Sequence, residues 1–211
     1  MAHEVSHEGA VSVGASRAGK LNQGLLGMVI FIGSEVMLFA SLFTAYFMVR
    51  YNIAENNWPP LNAEGEPFEL PKVITGVNTF ILVFSSFTIW YAEHSLKHGN
   101  RKGLIRGLGV TILLGATFLT VQINEYVHLG FTPADKGFGS TFYTLTGFHG
   151  VHVTVGILML LSLVGMSTAQ RLPADASFPV EMVGLYWHFV DIVWIVIFTV
   201  VYLVPTPRPG G

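Results

Sequence analysis

Phe31-Ile-Gly-Ser-Glu-Val-Met-Leu-Phe-Ala40 places one carboxylate, Glu35, in the middle of an apolar run from Leu25 to Val49. A run of that length covers the roughly 30 Å of hydrocarbon in a bilayer, which about 20 helical residues are enough to cross. A charge at the centre of such a span costs roughly 2.5–3.5 kcal/mol on insertion scales. Glu35 therefore needs a partner, a proton or a task, and the same question applies to every polar residue in the other apolar runs.

Four further runs have spanning length: about 73–92, 104–126, 141–166 and 183–204. The expected fold is all-α: a polytopic membrane protein whose five transmembrane helices form one bundle over residues 25–204. A polar N-terminal tail, 1–24, and a proline-rich C-terminal tail, 205–211, flank it. The composition fits. Hydrophobic residues make up 51% of the 211-residue chain and charged residues 11%, against a usual charged share of about 25%. There are no cysteines, which excludes disulfides, thiolate catalysis and iron–sulfur ligation. The net charge of −2 gives no footing for nucleic acid. No internal repeat of the kind common in transporters is visible.

Lys and Arg set the expected orientation. With the N-terminus inside, Arg17, Lys20, Lys97, Arg101, Lys102, Arg106 and Arg171 lie on the inner side. Arg50, Lys72, Lys136 and Arg208 lie outside. That bias predicts N-in, C-out. Trp58, Tyr91, Tyr126, Tyr143 and Tyr202 fall where an aromatic belt would sit. Gly27, Gly33, Gly115, Gly147, Gly150 and Gly156 are read as sites of close helix packing.

The polar residues in the spans are the candidate functional residues. Glu35 lies about 15 Å deep at ~1.5 Å per residue. His149 and His152, three apart, lie at a similar level, so Glu35 is expected to bond one of the two rings. The pair of histidines can also be read as two metal ligands, although a closed site needs four, or as part of a bis-histidine haem site with His188. His188 and Asp191, also three apart, are expected to bond along their own helix inside a contact between subunits, with Trp187 and Trp194 on a neighbouring face. Gln122, Glu125 and His128 read as a solvated polar rim. Glu35 is open to two readings, a hydrogen-bonded structural group or a residue beside a proton or gas pathway. A relay of Glu35, His149 and Asp191 in a free-standing proton-linked transporter is the alternative from another class. No hydrolytic triad or phosphate-binding loop is present.

Taken in order, several stretches resemble subunit III of the haem–copper terminal oxidases, the cytochrome c oxidase type. They are Phe31–Ala40, Asn78-Thr79 with Ser85-Ser86, Leu113–Gln122 leading to Glu125-Tyr126, Gly139–Phe142, Thr146-Gly-Phe-His-Gly-Val-His152 and Tyr186-Trp-His-Phe-Val-Asp191. The resemblance covers about residues 20 to 204 and is closest to the short, five-helix bacterial form. It implies an enzyme subunit with no redox centre of its own, located in a bacterial plasma membrane. Haems and copper would be held by partner subunits I and II, mainly subunit I. It further implies bound phospholipid, support of proton uptake, protection against turnover inactivation, a role in oxygen access, and membership of a larger respiratory assembly. Glu35 matches the family's carbodiimide-reactive glutamate, and His149, His152, His188 and Asp191 fall on motif positions. A quinol oxidase subunit III and the accessory subunit of nitric oxide reductases are the rivals within the family.

Overall fold

A computed structural model describes residues 23–52, 70–135, 137–172 and 177–204. Residues 1–22 and 205–211, Trp58 and Lys136 lie outside the described residues, and the last two residues of the expected N-terminal tail belong to α1. Five helices are present among them: α1 (Gln23–Asn52), α2 (Lys72–Lys97), α3 (Arg101–His128), α4 (Phe138–Thr168) and α5 (Ser177–Phe198). A π-helical turn, Thr199–Leu203, extends α5. All five are long and apolar enough to cross a membrane.

The helices outrun the apolar stretches expected from sequence. α2 runs on to Lys97, and α5 starts at Ser177 instead of 183. A helix does not end where hydropathy falls, because charged residues in a terminal turn reach water while the backbone bonds continue. Pro179 is tolerated in the first turn of α5, where its missing N–H would have had no helical acceptor.

Consecutive helices run up and down. α2 and α3 form the tightest pair. Their connection is short: Gly99 takes a left-handed φ of 70°, and the Asn100 side chain caps α3 by accepting from Gly103 N at 2.9 Å. Beyond the turn, Gly103 faces Ser95 and Gly107 faces Ala92, with no room for a Cβ on either glycine. Small residues on both helices bring the backbones together, the usual substitute in lipid for a hydrophobic driving force.

α5 is the central element. It packs on α2, α4 and α1, while α1 touches only α4 and α5 to any extent. Trp187 and Trp194 are fully buried within the chain. Trp187 fills the space left by Gly115 of α3 and Gly156 of α4. The other glycines divide. Gly150 meets only Leu119, whereas Gly27, Gly33 and Gly147 have nothing within 4 Å, so the packing role expected of those three is not present among the described residues.

At the end formed by the α3 C-terminus and the α4 N-terminus, Phe131, Phe138, Phe142, Tyr126 and Tyr143 make an aromatic cluster. Tyr126 donates to Thr146 Oγ1 at 2.7 Å, and Tyr143 to the Phe131 carbonyl at 2.9 Å. Tyr202 is buried too. These three tyrosines spend their hydroxyls inside the chain, so among the described members of the expected belt only Tyr91 is exposed.

Candidate functional site: polar groups buried between the helices

The expected pairing of Glu35 is present. Its Oε2 lies 2.8 Å from His152 Nε2, across the α1–α4 contact. His152 Nδ1 lies 2.6 Å from the Phe148 carbonyl. A ring nitrogen facing a carbonyl oxygen must carry the hydrogen, so Nε2 is the nitrogen that shares a proton with Glu35. One proton then serves the pair, as carboxylic acid with imidazole or as carboxylate with imidazolium. Either form is neutral overall, which removes most of the cost of a lone charge at this depth. Phe39 packs on the His152 ring at 5.0 Å, and Phe31 on Tyr186 at 6.1 Å. The pair is thus bordered by an apolar ring on the His152 side.

His149 parts company with His152. It points into the bundle, stacked on Trp194 at 4.8 Å and edge-on to Phe118 at 5.7 Å. Neither ring nitrogen has a hydrogen-bond partner among the described residues. Three residues on a helix differ by about 60° in direction, enough to send one ring to α1 and the other to the core. The reading of the two as a metal pair fails on this geometry, and no cluster of three metal-ligating side chains occurs among the described residues.

His188 and Asp191 do not bond each other. Both turn to Ser86 of α2: His188 Nδ1 is 3.0 Å from Ser86 Oγ, and the hydroxyl donates to Asp191 Oδ2. The adjacent Ser85 Oγ accepts from Trp187 Nε1 at 2.8 Å, and Thr79 Oγ1 accepts from Trp194 Nε1 at 2.9 Å. The contact thus lies within the chain, between α2 and α5. The separation along an ideal helix allowed a direct bond, but a hydroxyl between the two groups bonds one atom of each, while Asp191 Oδ1 has no partner among the described residues.

The polar rim is corrected more sharply. Glu125 and Gln122 are buried, at 5% and 3% exposure. Glu125 Oε1 accepts from Thr75 Oγ1 at 3.0 Å and from Tyr202 Oη at 2.9 Å, tying together α2, α3 and the end of α5. Only His128 and Asn124 face outward. The solvated reading failed because α2 and the π turn cover that face of α3, which no local pattern shows.

Sequence reading missed Ser86, Thr75, Tyr202 and Asn78 as organising residues. Asn78 Nδ2 donates to the Phe118 carbonyl at 3.1 Å, and Thr88 meets Thr111 at 2.7 Å. Small polar residues recur along α2 at 75, 78, 79, 85, 86 and 88. That helical recurrence in an apolar span was the available signal for an interhelical seam.

The class of protein is now defined: a multi-pass membrane bundle with a proton-sharing pair in its membrane interior. Comparison with known sequences narrows it. The family model for cytochrome c oxidase subunit III matches residues 2–205, and the chain belongs to that family. Cytochrome c oxidase subunit 3 of Synechocystis sp. is 43% identical over 183 residues, covering 85% of this chain and 75% of the relative. That of Thermostichus vulcanus is 37% identical over 180 residues, 85% and 86% of the two chains. Quinol oxidase subunit 3 of Bacillus spizizenii is 39% identical over 191 residues, 89% of each. The chain is accordingly subunit III of a haem–copper oxidase, part of an oxidoreductase complex.

Proposed function

We propose that this chain is the redox-silent subunit III of a proton-pumping cytochrome c oxidase in a bacterial plasma membrane, with its N-terminus inside. It supports proton uptake and the durability of the catalytic subunit, helps oxygen reach it, and holds phospholipid. Haems and copper belong to partner subunits I and II, and the complex joins a larger respiratory assembly.

The observation that carries this is the Glu35–His152 pair. It is a proton-sharing group between helices whose interior histidines do not converge: His149, His152 and His188 each face a different neighbour. The absence of cysteine removes thiolate ligation of copper or iron. Such a chain can shelter and position protons but is poorly equipped to carry electrons.

The test is to isolate the oxidase through a tag on this chain, then strip the chain with detergent. Haem absorption in the tagged eluate is expected, followed by slower proton uptake and progressive inactivation of the stripped enzyme over many turnovers. A stripped enzyme that keeps its uptake rate and never inactivates would reduce the chain to a scaffold.

A quinol-oxidising complex is the second reading, favoured by the Bacillus spizizenii relative. Because this chain does not contact the donor in the proposed arrangement, the co-purified subunit II decides. Oxidation of cytochrome c by the eluate supports the first reading, and oxidation of quinol alone supports the second.

A further inference from the structure

α1 and α2 each lean on α5 but make at most marginal contact with each other. They leave a trough whose floor is one strip of α5. The strip is Leu185, His188, Ile192, Ile195 and Thr199, spaced three and four apart as one helical face requires. Its apolar members are exposed, with Ile192 at 61%. On the α2 side, Phe87 and Trp90 are exposed to 63% and 60%.

His188 is the odd member of that strip. It lies about 10 Å along the axis from Glu181, whose ion pair with Lys97 marks that end, at ~1.5 Å per residue, within the apolar span. Its Nδ1 is engaged by Ser86. Its Nε2 has no hydrogen bond to a described residue and is not among the buried unpartnered atoms. It therefore opens on the trough. An imidazole nitrogen facing acyl chains forfeits a hydrogen bond with nothing in return. The mid-membrane carboxylate across the α1–α4 contact is already paired with His152, so it does not supply the missing partner.

We propose that the α1–α5–α2 trough is the seat of a transmembrane helix of the oxidase's catalytic subunit, and that this helix presents a hydrogen-bond donor to His188 Nε2, which is the accepting nitrogen because Nδ1 donates to Ser86 Oγ. The proposal rests on the subunit III reading above and specifies which face docks. The aromatic wall supplies packing area, and the single polar atom on the floor sets depth and register, as one polar group in an apolar interface commonly does. Lipid tails match the wall but not the floor. The outward face of α4 around Leu158, 58% exposed, has no such polar atom and faces lipid.

The test uses the intact, membrane-embedded oxidase carrying a diazirine amino acid at position 192 or at position 158. Irradiation is expected to join this chain to the haem-bearing subunit from 192 and to lipid from 158. In parallel, His188→Leu should lower the fraction of this chain retained on the detergent-washed complex by about tenfold, the equivalent of about 1.4 kcal/mol for one interhelical hydrogen bond. His188→Gln, which keeps a polar side chain, should restore much of it. Tryptophan fluorescence of Trp187 and Trp194 reports whether the variants keep the core. If His188→Leu does not fold, the contrast between 192 and 158, which alters no polar group, decides alone. Lipid adducts alone from 192, protein adducts from 158 but not from 192, or full retention of a folded His188→Leu chain would overturn the proposal. In each of those cases haem would still co-purify and the subunit III reading would stand. A tagged chain that brings down no haem-bearing subunit overturns both.

Discussion

A carboxylate in a bilayer survives only by sharing its proton or its charge, and Glu35 does so with His152 at 2.8 Å. Removing one partner leaves the other unpaired in an apolar setting. Glu35→Ala is expected to destabilise the purified chain by about 1–2 kcal/mol, with Glu35→Gln costing less because the amide still reaches Nε2. Helicity followed through a denaturing-detergent titration reads both, and an unchanged midpoint for Glu35→Ala would mean the pair contributes nothing. Ser86 is the other pivotal residue, since His188 and Asp191 both depend on its hydroxyl. Ser86→Ala should cost more than Ser41→Ala by about 1 kcal/mol or more, because Ser41 bonds only its own helix at the Leu38 carbonyl. Equal costs in the same titration would show that the His188–Ser86–Asp191 set is incidental.

Between elements, steric room decides. The α2–α3 pair depends on Gly103 and Gly107 meeting Ser95 and Ala92. Gly107→Val should separate the helices and cost about 1–3 kcal/mol, the usual penalty of overpacking. Gly33→Ala, with nothing within 4 Å of the added Cβ, should be neutral or gain up to about 1 kcal/mol from helix propensity. Both variants add a side chain to a helical glycine, so a Gly107→Val chain as thermally stable in detergent as Gly33→Ala would contradict the packing described. Ion pairing and capping act at the ends: Arg50 reaches the Val200 and Val204 carbonyls, and Lys97 pairs with Glu181 at 3.0 Å. A cation at a helix C-terminus is favoured by the exposed carbonyls there, and these ties fasten α1 and α2 to opposite ends of α5.

Across the whole molecule, α5 is the hub and α1 the outlying arm. α2, α3 and α4 exchange buried side chains with one another or with α5, whereas α1 rests on a single groove. Amides of α1 should therefore exchange with deuterium before those of α5 when the purified chain is followed in detergent; equal protection would mean that α1 is as integrated as the rest. Glu35 lies on that outlying arm, at the edge of the apolar bundle. A bulky residue beside it, Val36→Trp, is expected to raise the apparent KM for oxygen in the intact oxidase if oxygen, which partitions into hydrocarbon, enters along this edge. An unchanged KM would remove the chain from the oxygen route.

The five spans and the common level of Glu35 and His152 were legible in the sequence, because run length and a fixed rise per residue determine them. The Glu35–histidine pairing followed from the same arithmetic: groups at one depth can meet. Direction around each helix was a different matter. Whether His149 turned to the core, whether Glu125 met water or Tyr202, and whether Ser86 stood between His188 and Asp191 all depended on which helices became neighbours. Apolar residues surround nearly every span, so their pattern does not distinguish a lipid-facing side from a protein-facing one. Helix packing made that distinction, through backbone contact at small residues and the few hydrogen bonds available away from water, and only the assembled bundle contains that information.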